Sequence, residues 1–248
     1  MRIEDAARAS RWRGVTPVAK ASFALAGLLA AFLAPTPALA LAVAALLLTV
    51  AVLGGGVPLA LYARVAAPAL GFLALSGLTL AVAVDLVDGW PRVHFVPEAL
   101  PQAARVITRA LAALAALLGL VLTTPLPDLL ALLRQLRVPA VLLDLMVLGY
   151  RMLFVLHRAL RDTATAQHAR LGYATTRNGW RALGSLGANL AVQVWTRAQA
   201  LQQAAEARNL GDALRFLPRE YAHARRDTTL ATLGGALLIA LTLLGDRP

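Results

Sequence analysis

The 248-residue chain is 59% hydrophobic with a mean hydropathy of +0.66 and only 15% charged residues, yet it carries 24 Lys and Arg against 13 Asp and Glu, a net charge of +11. Ordinary soluble domains are roughly 45–50% apolar and about 25% charged, so most soluble classes are excluded and lipid is expected to cover part of the surface. The lack of cysteine excludes thiol nucleophiles, disulfides, thiolate zinc sites and iron–sulfur clusters. A charge this basic first suggests nucleic acid, but such a partner would need the basic residues on a soluble module, so their placement along the chain decides the matter.

Between Lys20, the only lysine, and Arg64 no residue is charged. A continuous helix over these 43 residues would run about 65 Å against a hydrocarbon core of about 30 Å. The run must therefore fold back, and Pro35-Thr36-Pro37 is the evident turn, giving spans near 18–34 and 38–53. Gly54-Gly55-Gly56 ends the second. A third uncharged run covers 65–84 and includes Pro68, Gly71, Ser76 and Gly77, residues that transmembrane interfaces use for close packing. A fourth covers 106–124 and closes on Thr123-Thr124-Pro125, and a fifth covers 228–245. The first apolar run is longer than the h-region of a signal peptide and leads straight into a second span, so cleavage is not expected.

Five spans place the two termini on opposite sides. With the N-terminus in the cytoplasm, segments 1–20, 54–64 and 126–227 hold 20 of the 24 basic residues, which satisfies the positive-inside rule. The stretch 138–156 is also of span length but contains Asp144 and Arg151; a sixth span there would export eleven arginines. It is expected to be a cytoplasmic or interfacial helix covered by protein.

The remaining segment, from Pro125 to Asp227, is basic and helical in pattern. A short helix containing Leu129, Leu130, Leu132, Leu133 and Leu136 ends at Pro139, a long one runs toward Arg170, and Gly172 breaks the pattern. From Trp180, the apolar positions Leu183, Leu186, Leu190, Val194 and Leu201 recur at amphipathic-helix spacing. Two stretches nearly repeat: Ala166-Gln167-His168-Ala169-Arg170-Leu171-Gly172 and Ala204-Ala205-Glu206-Ala207-Arg208-Asn209-Leu210-Gly211. In each, an Ala-Arg pair near a helix end is followed by a glycine two or three residues on, a plausible stop. A small residue beside an arginine lets backbone approach a groove while the guanidinium reaches a carboxylate. The same pattern also describes arginines that merely complement a helix dipole or lipid headgroups.

The chain resembles the transmembrane coupling proteins, or T components, of energy-coupling-factor (ECF) transporters, in particular the cobalt-type CbiQ subgroup. The resemblance spans Arg11-Trp12-Arg13-Gly14-Val15-Thr16-Pro17-Val18-Ala19-Lys20, Thr123-Thr124-Pro125-Leu126-Pro127-Asp128-Leu129, Leu136-Arg137-Val138-Pro139, Tyr150-Arg151 and Ala169-Arg170-Leu171-Gly172-Tyr173. It implies two Ala-Arg-Gly signatures that end cytoplasmic coupling helices and dock on a pair of ATPase subunits. Ala169-Arg170 and Ala207-Arg208 match the first two positions; Leu171 and Asn209 stand where the family has glycine. It further implies a separate substrate-binding membrane subunit and Co²⁺ as the imported ion, with Ni²⁺ next.

No Gly-x-x-x-x-Gly-Lys-[Ser/Thr] phosphate loop occurs, so ATP and Mg²⁺ are expected to be used by the partner ATPases. His94, His157, His168 and His223 are scattered without metal-ligand spacing. Asp85, Asp88 and His94 could gather a hard divalent ion, but with Gly89, Trp90 and Pro91 they equally describe an interfacial loop with an aromatic anchor. The expected fold is an all-α integral membrane protein of about five transmembrane helices, with a cytoplasmic helical coupling region inserted before the last span. Its parts are a four-span bundle over 1–124, the coupling helices over 125–227 and a last span over 228–248. It is expected to be a multi-pass, non-enzymatic importer subunit in the cell membrane that binds no cofactor, metal or nucleic acid itself. The alternative is a self-contained secondary transporter or channel whose basic insert binds anionic lipid.

Overall fold

The computed structural model describes residues 2–87, 90–95, 97–207, 221 and 223–245. In chain order the described elements are α1 (Arg2–Ala9), α2 (Pro17–Leu33) and α3 (Pro37–Thr49), which runs on as a π-helical turn over Val50–Gly54, then α4 (Leu59–Ala81). The strands β1 (Val82–Val87) and β2 (Trp90–Phe95) follow, then α5 (Leu100–Thr123), α6 (Leu126–Gln135), α7 (Ala140–Ala169), α8 (Thr176–Ala207) and α9 (Ala224–Leu244). Two units separate: Met1–Leu132 with Arg219–Pro248, and Leu133–Pro218.

Local chemistry starts the first two apolar helices. Thr16 and Thr36 each accept a backbone N–H, from Ala19 and Leu39 at 3.4 Å, and Pro17 and Pro37 occupy helix starts where a missing N–H costs nothing. The helices overrun the uncharged stretches, because the backbone ladder continues through Arg64 in α4 and through Arg105 and Arg109 in α5. Five helices are long and apolar enough to cross a membrane: Pro37–Gly54, Leu59–Leu80, Leu100–Thr123, Ala140–Ala169 and Ala224–Leu244. That set differs by one exchange from the expected spans. Pro17–Leu33 has 17 residues and falls just short, while α7 qualifies despite Asp144 and Arg151 because it continues unbroken for 30 residues. The third span closes at Ala81, three residues earlier than its uncharged run, because the chain there turns into an antiparallel hairpin with Val82 opposite Phe95 and Val87 opposite Trp90. Apart from this two-stranded hairpin, the regular structure among the described residues is helical.

In the first unit α2 lies among α3, α5 and α9. Alanine makes up much of the core: Ala30, Ala31, Ala112, Ala115 and Ala116 are buried together with Val43, Leu47 and Leu238. Small side chains let helices meet where lipid offers no hydrophobic drive to association. A Cβ at Gly235 of α9 would come within 2.6 Å of the Ala26 Cβ on α2, and one at Gly77 of α4 within 2.5 Å of Ile107 Cδ1 on α5. Gly77, expected to pack closely, thus has its partner. Large side chains point outward instead, with Phe32, Leu53, Phe72 and Leu75 all more than 60% exposed, as a lipid-facing surface requires.

Two cations tie α2 to α5 at both ends. Lys20, 5% exposed, donates from Nζ to the carbonyl of Thr123, the last residue of α5, at 3.0 Å. Arg109 of α5 donates from Nη2 to the carbonyl of Ala34, the residue closing α2, at 3.2 Å. The helices are therefore antiparallel, and each supplies the cation that satisfies an orphan C-terminal carbonyl of the other. In each helix 14 residues separate cation from capped carbonyl, or about 21 Å. The Lys20 end carries a second layer. Ser10 Oγ and the Arg11 N–H both donate to the Gly55 carbonyl, at 2.8 and 3.0 Å, so the N-terminal segment is stitched to the turn after α3. That turn needs glycine at Gly56, whose φ is +71° and where a Cβ would crowd the Arg11 side chain.

Lys20→Met keeps the stem but cannot donate, leaving the buried Thr123 carbonyl short of a partner. It should cost about 1–3 kcal/mol in denaturant unfolding of the detergent-solubilised chain. Combined with Arg109→Met the losses should add, because the two contacts are too far apart to couple; unchanged stability in Lys20→Met would remove the clip from the account.

Candidate functional site

The second unit is built on α7 and α8, joined by a tight turn. Gln167 holds that turn closed. Its Nε2 donates to the Ala182 carbonyl at 3.0 Å and to Ser185 Oγ at 2.9 Å, both on α8, while its Oε1 accepts the Tyr173 hydroxyl at 2.6 Å. The Tyr173 ring packs tilted on His168, with centroids 4.5 Å apart. The second and third turns of α8 therefore lie beside the last turn of α7, and the two helices run antiparallel.

The end of α7 is a Schellman motif. The Arg170 N–H donates to the Ala166 carbonyl at 3.2 Å, the Leu171 N–H to His168 at 3.1 Å and the Gly172 N–H to Gln167 at 2.9 Å. Its left-handed position is filled by Leu171, with φ +56°. This corrects the expectation that Gly172 stops the helix: the reversal happens one residue earlier, at the residue standing where the family signature has glycine. A Cβ in the left-handed region costs roughly 1–2 kcal/mol, and here two backbone bonds offset it. The end of α6 repeats the device, with Arg137 at φ +60°, its N–H on the Arg134 carbonyl and the Val138 N–H on Leu133. Pro139 follows, where it cannot continue the helix. Arg137 and Leu171 are the two non-glycine residues with positive φ among the described residues.

Of the expected coupling residues, Ala169, Arg170 and Leu171 sit together on the α7–α8 turn, all exposed, Leu171 at 72%. The Arg170 guanidinium has no partner among the described residues and is free to engage another chain. Ala207 is the exposed last residue of α8; Arg208 and Asn209 lie outside the described residues. Ala169-Arg170 thus closes α7 just before the turn into α8, and Ala207 ends the 32-residue α8, a helix with a rise of about 48 Å. Sequence reasoning missed Gln167 and Ser185 as the residues that close the turn. Both are ordinary polar residues at helical positions, and only the chain reversal between them makes them neighbours.

In the β1–β2 hairpin, backbone pairing sets Asp85 opposite Arg92 and Ala83 opposite His94, and Asp88 lies outside the described residues. Among the described residues no three His, Asp or Glu gather where a metal ion could be held.

A family model described as cobalt transport protein, CbiQ, matches residues 9–212. The chain is 35% identical over 243 residues to the cobalt transport protein CbiQ of Rhodobacter capsulatus, covering 98% of both proteins. It is 29% identical over 250 residues to a protein of Methanocorpusculum labreanum named as a fused cobalt transport protein CbiMQ, covering 96% of this chain and 41% of that one. With the cobalt transport protein CbiQ of Salmonella typhimurium it shares 37% identity over 91 residues, 37% of this chain and 40% of the other.

Restoring glycine at the left-handed position should relieve strain. Leu171→Gly is expected to stabilise the α7 terminus by about 1 kcal/mol, visible as slower amide exchange over 167–172; faster exchange would contradict the strain assignment. Gln167→Ala removes three hydrogen bonds at once and should loosen the α7–α8 turn by about 1–3 kcal/mol in the same measurement.

Proposed function

Because the chain belongs to the CbiQ family of cobalt transport proteins, we propose that it is the transmembrane energy-coupling subunit of an ATP-driven importer for a divalent transition metal, Co²⁺ first and Ni²⁺ second. Two ATPase subunits bind and hydrolyse ATP with Mg²⁺ and dock on the coupling helices, one at Arg170 and one at Arg208. A separate membrane subunit binds the metal, and this chain carries no substrate chemistry. The N-terminus and the Leu133–Pro218 unit face the cytoplasm, where the excess of arginine favours them.

The observation that supports this reading best is that Arg170 lies on the turn before α8 while Ala207, the first residue of the second Ala-Arg pair in sequence, ends that helix. A helix with a rise of about 48 Å between Arg170 and Ala207 is too long for one groove and suits one groove on each of two ATPase subunits. An arginine seated in such a groove against a carboxylate gives bidentate, orientation-specific docking, and the small alanine beside it permits close approach. The multi-pass bundle supplies apolar helices against which a separate substrate-binding membrane partner would pack. The relative named as a fused CbiMQ supports such a membrane partner, since this chain accounts for 41% of its length.

Co-expression with candidate ATPase subunits, followed by purification in detergent, tests the proposal. The wild-type chain should retain ATPase subunits. Arg170→Glu and Arg208→Glu should each lower retention at least tenfold, because truncating or reversing a desolvated interfacial charge costs about 2–5 kcal/mol. A wild-type chain that transports metal while retaining no ATPase would instead establish a self-contained transporter.

A further inference from the structure

Within the α7–α8 hairpin, one helical turn or more from the coupling tip, a cavity of about 370 Å³ lies between the two helices. Phe154 on α7 contributes apolar lining, and the polar lining is Arg158, Asp162 and Thr163 from α7 with Gln193 and Arg197 from α8. Arg158 and Asp162 are exposed at its rim, whereas Arg197 is half-buried and its Nη1 is fully buried with no hydrogen-bond partner. A guanidinium nitrogen removed from water without an acceptor is among the costliest arrangements a protein can keep. Neither arginine forms an ion pair with Asp162 among the described residues, so the carboxylate beside them does not resolve the deficit. Two arginines and one amide converging on one cavity form a donor-rich set, and the missing component is an oxyanion with several acceptor oxygens.

We propose that this cavity binds the phosphate of an anionic membrane lipid. Arginine forks match phosphate geometry, and the Gln193 amide supplies a neutral donor to a remaining oxygen, the Thr163 hydroxyl proton being already given to the Ala159 carbonyl at 2.8 Å. The lipid is favoured over free phosphate by where the cavity falls along α7. That helix is apolar enough to lie against the membrane interface, and its first eighteen residues carry two charges, Asp144 and Arg151. From Arg158 onward, Arg158, Arg161 and Asp162 follow within five residues. The cavity therefore sits where an apolar helix half gives way to a charged one, the depth of lipid headgroups, and Phe154 is placed beside the upper acyl region. A bound headgroup would brace α7 against α8 well away from the Gln167 turn. This site is independent of the ATPase-docking reading and concerns different arginines.

The test is native mass spectrometry of the full chain in maltoside detergent, delipidated and then titrated with phosphatidylglycerol, with and without millimolar inorganic phosphate. The wild type should hold one phosphatidylglycerol more tightly than the rest. Arg197→Gln should weaken that first binding step at least tenfold, and Asp162→Asn should strengthen it by removing a like charge from the cavity. Arg181→Gln, an exposed arginine elsewhere on α8, should leave it unchanged. If Arg181→Gln weakens binding as much as Arg197→Gln, or if Arg197→Gln binds like wild type, the attraction is diffuse and the site is refuted. If inorganic phosphate binds the cavity and displaces phosphatidylglycerol at equal concentration, the ligand is a free oxyanion and the lipid assignment is overturned.

Discussion

The reciprocal clip between α2 and α5 is the constraint on which the membrane unit depends. An apolar bundle in lipid gains little from burying apolar surface, so its geometry rests on close packing and on polar groups that cannot be satisfied by water. Helix termini are the places where such groups are unavoidable. Lys20 satisfies the end of α5 and Arg109 the end of α2, so two helices distant in sequence are locked in antiparallel register by groups that each needs for its own completion. The alanine-rich core then fills the space between them. At the Lys20 end, Ser10 and Arg11 bring the N-terminal segment onto Gly55, and a Cβ at Gly55 would meet the methyl group of Thr123 at 2.8 Å. The last residue of α5 is thus held by two separate segments immediately before Pro125 redirects the chain into α6. Whatever α6 to α8 do, they begin from an anchored point.

The Leu133–Pro218 unit is held together differently. Its helices are long, exposed and joined by turns that use left-handed backbone at Arg137 and Leu171, where glycine would be unstrained. Such conformations persist only when the surroundings over-determine them. At Leu171 the surroundings are specific: the Gln167 side chain to α8, the Tyr173 hydroxyl back to Gln167, and two backbone bonds across the turn. The result is a rigid tip that presents Arg170 outward. Rigidity suits a docking element, since an arginine whose backbone is already fixed loses less freedom on binding.

Much of this was legible in the residues themselves. Hydropathy located the apolar helices to within about six residues, since α4 and α5 begin at Leu59 and Leu100, before the uncharged runs do, and Thr16-Pro17 and Thr36-Pro37 marked starts with a capping mechanism behind them. Proline and glycine punctuation located the breaks at 54–56, 139 and 172 to within a residue. The charge-free run that ends at Val84 concealed the strand beginning at Val82, because an apolar stretch has no periodicity to distinguish a helix from a hairpin arm. The apolar length of 138–156 is equally legible, and it is the eleven arginines a sixth span would export, not its hydropathy, that sets this stretch apart from the other spans.

The sequence by itself determined the class of the protein, its division into an apolar bundle and a basic helical insert, and the Ala169-Arg170 pair that marks the end of α7. These are properties of composition and local spacing, which act through neighbouring residues along the chain. Tertiary structure alone decided which carbonyls Lys20 and Arg109 would complete, that Gln167 would close the turn, that Leu171 and not Gly172 would reverse the helix, and that Arg158 and Arg197 would share a cavity. Each of these joins groups from different elements or depends on hydrogen bonds that exist only once the chain has turned back, and no local pattern encodes a partner that lies 15, 39, 75 or 103 residues away.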